Sequence, residues 1–150
     1  MTTLTEKVAE FSATIPDWQV ADSLNQPDSE TYGYAWISLP CQLIRDALLA
    51  SREWLVIKHA PGNSSLSQNV RDAAETFIDT VTLQVNVDLP NANYRQVVMD
   101  TVTTLITAGL LSQETVDTVL LGHGRRPLSW AETNGIPVDA RAVGLARGGQ

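Results

Sequence analysis

The chain has 150 residues, of which 43% are apolar and 18% are charged, and its formal net charge is −7. This length suits one globular domain with a buried core, and the excess of acids disfavours binding to nucleic acid. No apolar run reaches the roughly 18 residues that a membrane-spanning helix needs, and the first residues lack the pattern of a secretory signal. A single cysteine, Cys41, excludes an internal disulfide. We therefore expect a soluble protein that is made in the cytoplasm.

Capping signals and apolar spacing predict helices in the first part of the chain. Thr3 begins a capping-box pattern for a first helix, and Pro16 fits the first turn of a second. Residues 32–40 are rich in aromatic side chains and fit a short extended segment. A longer helix is expected from Ser38, as its cap, to Lys58. Its last turns, residues 54–57, are apolar on nearly every side, which is typical of a segment central to a core or covered by a neighbouring chain.

Three more helices are expected in the middle of the chain. Residues 66–81 carry the most regular helical stripe of apolar side chains. Asn91 fits the cap of a helix that stops at Gly109, and Ser112 fits the cap of one that stops at Gly122. Residues 81–89 alternate with period two, which fits either a strand or an irregular link. We favour the link, because no second strand of equal quality is available to pair with it.

The end of the chain differs from the rest in charge and in apolar content. Residues 123–150 hold four arginines against Glu132 and Asp139, a net charge of +2, which leaves −9 for the first 122 residues. Ser129 and Asp139 fit the caps of two helices that are too short to be stable alone in water. We therefore predict a mainly α fold, with a small helical bundle over residues 1–122 and a docking extension of short helices over residues 123–150.

Catalytic, metal and cofactor sites find no support in the residue patterns. His59 and His123 each lack a second ligand at helical spacing, and no phosphate-binding loop or nucleophile motif occurs. A helix-turn-helix reading fits residues 108–112 with the helix that follows, and also residues 131–139. The helix after Ser112 carries acids that would repel DNA, and the second candidate offers two arginines only. We predict no enzyme and no cofactor.

The arginines and the tryptophan of the extension favour contact with another protein, because these residue types dominate the energetics of protein interfaces. Apolar anchors would be buried on the partner, and the arginines would pair with acidic groups at the rim. The expected contact residues are Arg125, Arg126, Trp130, Val138, Arg141, Val143, Leu145 and Arg147.

The segments LITAGLLSQETVDTVL (105–120) and RPLSWAETNGIPVDARAVGLAR (126–147) resemble the C-terminal ends of small proteins that tailed bacteriophages encode. The resemblance implies a virion component associated with the tail, neck or capsid, which assembles with other copies of itself or with other virion proteins. It carries no catalytic residues. Two alternatives stay open: an intracellular phage protein that binds a host factor, and a DNA-binding regulator.

Overall fold

Helices dominate the fold, as the sequence predicts. A computed structural model describes residues 3–148. The helices are α1 Leu4–Val8, α2 Asp17–Asn25, α3 Ser29–Tyr32, α4 Cys41–Ser51, α5 Glu53–His59, α6 Gln68–Leu83, α7 Ala92–Thr107, α8 Gln113–Val116, α9 Trp130–Asn134 and α10 Ala140–Ala146. A 3-10 turn at Ala60–Gly62 follows α5, and a wider π-helical turn at Asp117–Leu121 continues α8. The short strands are β1 Tyr34–Trp36, β2 Leu39–Pro40, β3 Asn86–Val87 and β4 Arg125–Pro127.

Side-chain caps begin several helices where the sequence places them. Ser129 and Glu132 complete a reciprocal capping box at the start of α9. Asn91 accepts a hydrogen bond from the backbone of Tyr94, and Asp139 caps α10 in the same way. Each of these caps satisfies a backbone N–H that the helix itself leaves without a partner.

The expected helix from Ser38 to Lys58 is instead two helices, and Ser38 does not cap it. The first helix begins at Cys41, directly after Pro40. Arg52 then adopts a left-handed backbone with φ of 65°, and its N–H reaches back to the last turn of α4. This conformation ends α4 and turns the chain into α5. A left-handed backbone is unfavourable for residues other than glycine. An arginine in the sequence therefore does not predict a helix break at this position.

The segment at 81–89 combines helix and strand. Helix α6 continues through Leu83, and β3 then pairs antiparallel with β2, with Leu39 opposite Val87. Val87 and Leu89 are buried, which accounts for part of the alternation in the sequence. The partner strand lies in the aromatic segment and is only two residues long. A second two-stranded sheet pairs β1 with β4.

The chain divides into two compact units, and the division differs from the expected boundary after residue 122. The central unit runs from Trp36 to Arg126. Its core has two clusters, one between α4–α7 and one around the β2–β3 pair, with Leu48, Ile57 and Leu105 in the first and Leu39 and Leu89 in the second.

The terminal unit joins the described residues up to Ala35 with those from Pro127 onward. Val8, Val20 and Leu24 of the first helices pack in one cluster with Trp130 and Val143 of the last two. The short C-terminal helices therefore gain their packing from the N-terminal helices of the same chain. The sequence-based division missed this, because the two segments are far apart along the chain.

Candidate functional site

The structure removes two apolar anchors from the expected contact set. Trp130 is 5% exposed and Val143 is fully buried, both inside the terminal unit. Val138 is partly buried against the same cluster. These side chains stabilise their own chain, because α1 and α2 supply the apolar surface that the C-terminal segment lacks. They are not available to a partner while this unit is folded.

Arg147 is also used within the terminal unit. Its guanidinium donates to the carbonyl oxygens of Ser12 and Ile15 at 2.9 and 2.7 Å and forms an ion pair with Asp17 at 2.8 Å. A guanidinium with three acceptors fixes the end of α10 to the loop before α2. Arg147 is therefore a structural residue rather than a rim contact.

The other arginines of the expected set have different surroundings. Arg125 and Arg126 lie in β4, where Arg125 Nε donates to the carbonyl oxygen of Leu121, and neither residue is without a partner. Arg141 is exposed on α10, and Leu145 is 58% exposed one turn later. Of the expected set, Arg126 on β4 and Arg141 and Leu145 on α10 are therefore exposed, and the last two lie together on one helix surface.

Contacts at both ends of α10 show how it lies against α2. Asn25 Nδ2 donates to the carbonyl oxygen of Val138 at 2.8 Å, while Arg147 pairs with Asp17 at the other end. The two helices therefore run antiparallel. They approach closely at Gly144, where a Cβ atom would lie 3.0 Å from Asp17 Oδ2.

Helical periodicity places an exposed tryptophan beside Arg141 and Leu145. Val20 lies on the side of α2 that packs into the core, and Val143 lies on the corresponding side of α10. With about 3.6 residues per turn, Trp18, Arg141 and Leu145 all lie on the opposite, outward side of the helix pair. Trp18 is 60% exposed. We call these three residues the α2–α10 face.

The central unit carries a separate open groove of about 870 Å³. Small and apolar side chains line much of it, and the lining includes two acids and no cation. We call it the α4–α8 groove. It is lined by Ala47, Ala50, Ser51, Glu53, Val56, Gly109, Leu110, Leu111, Ser112, Glu114, Thr115 and Thr118.

One acid of the groove is held by the fold. The Glu53 carboxylate accepts hydrogen bonds from the Ser112 backbone N–H at 2.5 Å, from its hydroxyl at 3.2 Å and from the Thr115 hydroxyl at 2.5 Å. Burial acts to raise the pKa of Glu53, but these hydrogen bonds outweigh it and lower the pKa below its ordinary value. Glu53 therefore stays ionised at neutral pH and joins α5 to the start of α8.

Two unusual backbone features border the groove. The left-handed Arg52 lies between two lining residues, Ser51 and Glu53. The π-helical turn that continues α8 contributes Thr118 to the lining. Strained residues and π-helical turns are both frequent at functional sites. Val56 in the wall and Leu55 next to it are exposed, Leu55 by 62%.

The described residues carry neither a cluster that could hold a metal ion nor a helix that could span a membrane. Within 3–148, no group of three or more histidine, cysteine, aspartate or glutamate side chains could hold a metal ion. No described helix is long and apolar enough to cross a membrane.

Cys41 is buried, and burial raises the pKa of its thiol, which makes it less reactive. A cavity of about 40 Å³ in the central unit is lined almost wholly by apolar side chains.

Sequence reasoning missed both Trp18 and the groove. Trp18 had a usable signal, since its position falls outside the stripe formed by Val20 and Leu24 on α2. The groove had no signal in the sequence, because it joins residues of α4 and α5 to residues some sixty positions later in the chain. Residues 54–57 were expected to be central in a core or covered by a neighbouring chain: Ile57 is fully buried in the core of the central unit, whereas Leu55 and Val56 are exposed.

Comparison with known proteins identifies no relative: no family model, curated protein or solved structure matches the chain significantly.

Proposed function

We propose that this protein is a component of a tailed-bacteriophage virion that acts by assembly with other proteins. The observation that carries the proposal is the α2–α10 face. A tryptophan and a leucine remain more than half exposed there beside an exposed arginine, although both helices pack well on their inner side. Tryptophan and arginine are the residues most enriched among interface hot spots.

Placement in a virion rests on the resemblance of residues 105–120 and 126–147 to phage proteins. Two of the residues that remain exposed, Arg141 and Leu145, lie inside the second of these segments. The assignment to tail, neck or capsid follows from this resemblance.

The test uses a phage that lacks the gene and a host that supplies the protein from a plasmid. Purified particles should contain the wild-type protein by quantitative mass spectrometry. The variant Trp18→Gln with Leu145→Gln should fold normally, because both side chains are exposed, but its amount per particle should fall at least several-fold. Gln19→Ala, an exposed neighbour of Trp18, is the matched control and should be incorporated as the wild type is.

The same experiment separates the competing functions. Wild-type particles without the protein would contradict the virion proposal. If the protein then co-purifies with one host protein, and the Trp18 and Leu145 variant loses it, a host-factor binder is the better account. The acidic net charge of −7 would suit a basic host target.

DNA binding is the weaker alternative for a specific reason. In the first helix-turn-helix candidate, the Glu53 carboxylate occupies the start of α8, where a DNA reader would meet a phosphate. In the second, Arg147 is engaged within the terminal unit, which leaves Arg141 as the exposed cation of α10. A DNA-binding regulator would show a steeply salt-dependent shift of duplex DNA, and we expect none at moderate salt.

A further inference from the structure

The α2–α10 face holds the one cation of the terminal unit that no ion pair engages within the described residues. Lys7 pairs with Glu10, and Arg147 pairs with Asp17. Arg141 makes no ion pair there, even with Asp22, which helical periodicity places on the same side of the α2–α10 pair. Arg141 therefore presents an uncompensated positive charge beside the exposed Trp18.

The α4–α8 groove has the opposite character. The carboxylate of Glu53 is engaged by Ser112 and Thr115, whereas the exposed carboxylate of Glu114 has no hydrogen bond or ion pair among the described residues. The lining contains no lysine or arginine, and Ala47, Ala50 and Gly109 leave room for a close approach. A face with two apolar side chains and one cation would therefore meet a groove of mixed apolar and hydroxyl side chains that carries an exposed acid.

We infer that the α2–α10 face of one copy docks into the α4–α8 groove of a second copy. This inference rests on the proposed assembly function and names its partner. Trp18 and Leu145 would cover the apolar lining around Val56 and Leu110, and Arg141 would pair with Glu114. Charge complementarity of this kind sets orientation and partner choice more than raw affinity.

The contact is heterologous, since the two copies use different surfaces. A growing assembly keeps one unused face at one end and one unused groove at the other, so the contact propagates into a ring or a filament. A contact centred on three side chains is small by the standard of stable interfaces, so single contacts are weak and assembly depends on concentration.

Sedimentation of the full-length protein over a range of concentrations tests the contact. The wild type should associate as the concentration rises. Arg141→Glu and Glu114→Arg should each weaken association about tenfold or more, because each places like charges together. Glu75→Arg changes the net charge as Glu114→Arg does, but lies on α6 outside the groove lining, and it should associate like the wild type.

Exchanging the charges at positions 141 and 114 is the decisive experiment. The double variant Arg141→Glu with Glu114→Arg keeps the net charge of −7 and should recover association to within a few-fold of the wild type. Mixing the two single variants should also restore it, because each supplies the surface that the other lacks. A double variant that stays as weak as the single variants overturns the pairing of face with groove.

The association experiment can succeed or fail independently of the virion experiment. A wild type that stays monomeric at high concentration but is present in purified particles overturns the contact between copies and leaves the virion role intact. A protein that associates with rescue by charge exchange, yet is absent from particles, supports the contact and contradicts the virion role.

Discussion

The two units use the chain in different ways. The central unit is one continuous segment with two helices of 16 residues each, α6 and α7, packed against each other. Among the described residues, the terminal unit has no helix longer than nine residues, and it draws its core from both ends of the chain. Short helices are marginal alone, so the terminal unit depends on long-range contacts in a way that the central unit does not.

This comparison predicts that the terminal unit unfolds before the central unit and unfolds as a whole. A chain that ends at Arg126 lacks Trp130 and Val143, so α1–α3 should unfold, while the central unit, whose two core clusters contain no later residue, should stay folded. Hydrogen exchange should show complete loss of protection in α2 and retained protection in α6. Protection of α2 that survives the truncation would contradict the dependence of one end on the other.

The next largest effect comes from a pair of tryptophans within the terminal unit. Trp130→Ala removes a side chain that is 5% exposed and should lower the free energy of unfolding by about 3–5 kcal/mol. Trp18→Ala removes one that is 60% exposed and should change it by about 0.5 kcal/mol or less. Chemical denaturation of the two variants measures both. Equal losses would mean that Trp18 belongs to the core and that the α2–α10 face is not an open surface.

A pair of arginines on the same segment gives the third prediction. Arg147→Ala removes hydrogen bonds to Ser12 and Ile15 and the ion pair with Asp17, so the terminal unit should lose about 1–2 kcal/mol. Arg141→Ala, with none of these contacts, should leave the stability of the isolated chain unchanged. Thermal unfolding followed by the tryptophan signal distinguishes them, and a null result for Arg147 would show that apolar packing alone holds α10.

The central unit offers a comparable pair of glycines. A Cβ atom at Gly124 would lie 2.6 Å from the Leu120 carbonyl oxygen and 2.6 Å from Leu89 Cδ1, so Gly124→Ala should cost about 1–3 kcal/mol. Gly122→Ala meets no atom within 4 Å and should be neutral. Urea unfolding measures both. A neutral Gly124→Ala would show that the backbone after the π-helical turn shifts easily.

The smallest effect concerns Arg52. Its left-handed backbone costs more for arginine than for glycine, so Arg52→Gly should raise the stability of the central unit by about 0.5 kcal/mol. Arg52→Ala retains a Cβ and should give no such gain. If Arg52→Gly is not stabilising in denaturant titrations, a contact of the arginine side chain offsets the strain.

The helix starts could be predicted from the sequence because each depends on a few neighbouring residues. The break at Arg52 and the packing of the two chain ends against each other could not. The caps at Asn91, Ser129 and Asp139 and the left-handed stop at Gly109 depend on neighbouring residues, and the structure confirms them. The break at Arg52 carries no such signal, because arginine does not favour that backbone.

The division of the chain was missed for a related reason. Short helices at the end of a sequence read as an extension when their partner is unknown, and here the partner is α2. Nothing in the spacing of residues 129–147 identifies Val20 or Leu24 as their neighbours. The expected contact residues included Arg141 and Leu145, which are exposed, together with Trp130 and Val143, which are buried, because residue type alone does not distinguish the outward side of α9 or α10 from its inner side.

The hydrogen bond between Asn25 and Val138 joins residues 113 positions apart. At about 5–20 residues per second, a ribosome takes roughly 6–23 s to add that stretch. Throughout this interval the nascent N-terminal helices display Val20 and Leu24 to the cytosol with nothing to cover them. Newly made chains are therefore natural clients for chaperones until synthesis is nearly finished, and pausing late in translation would prolong that exposure.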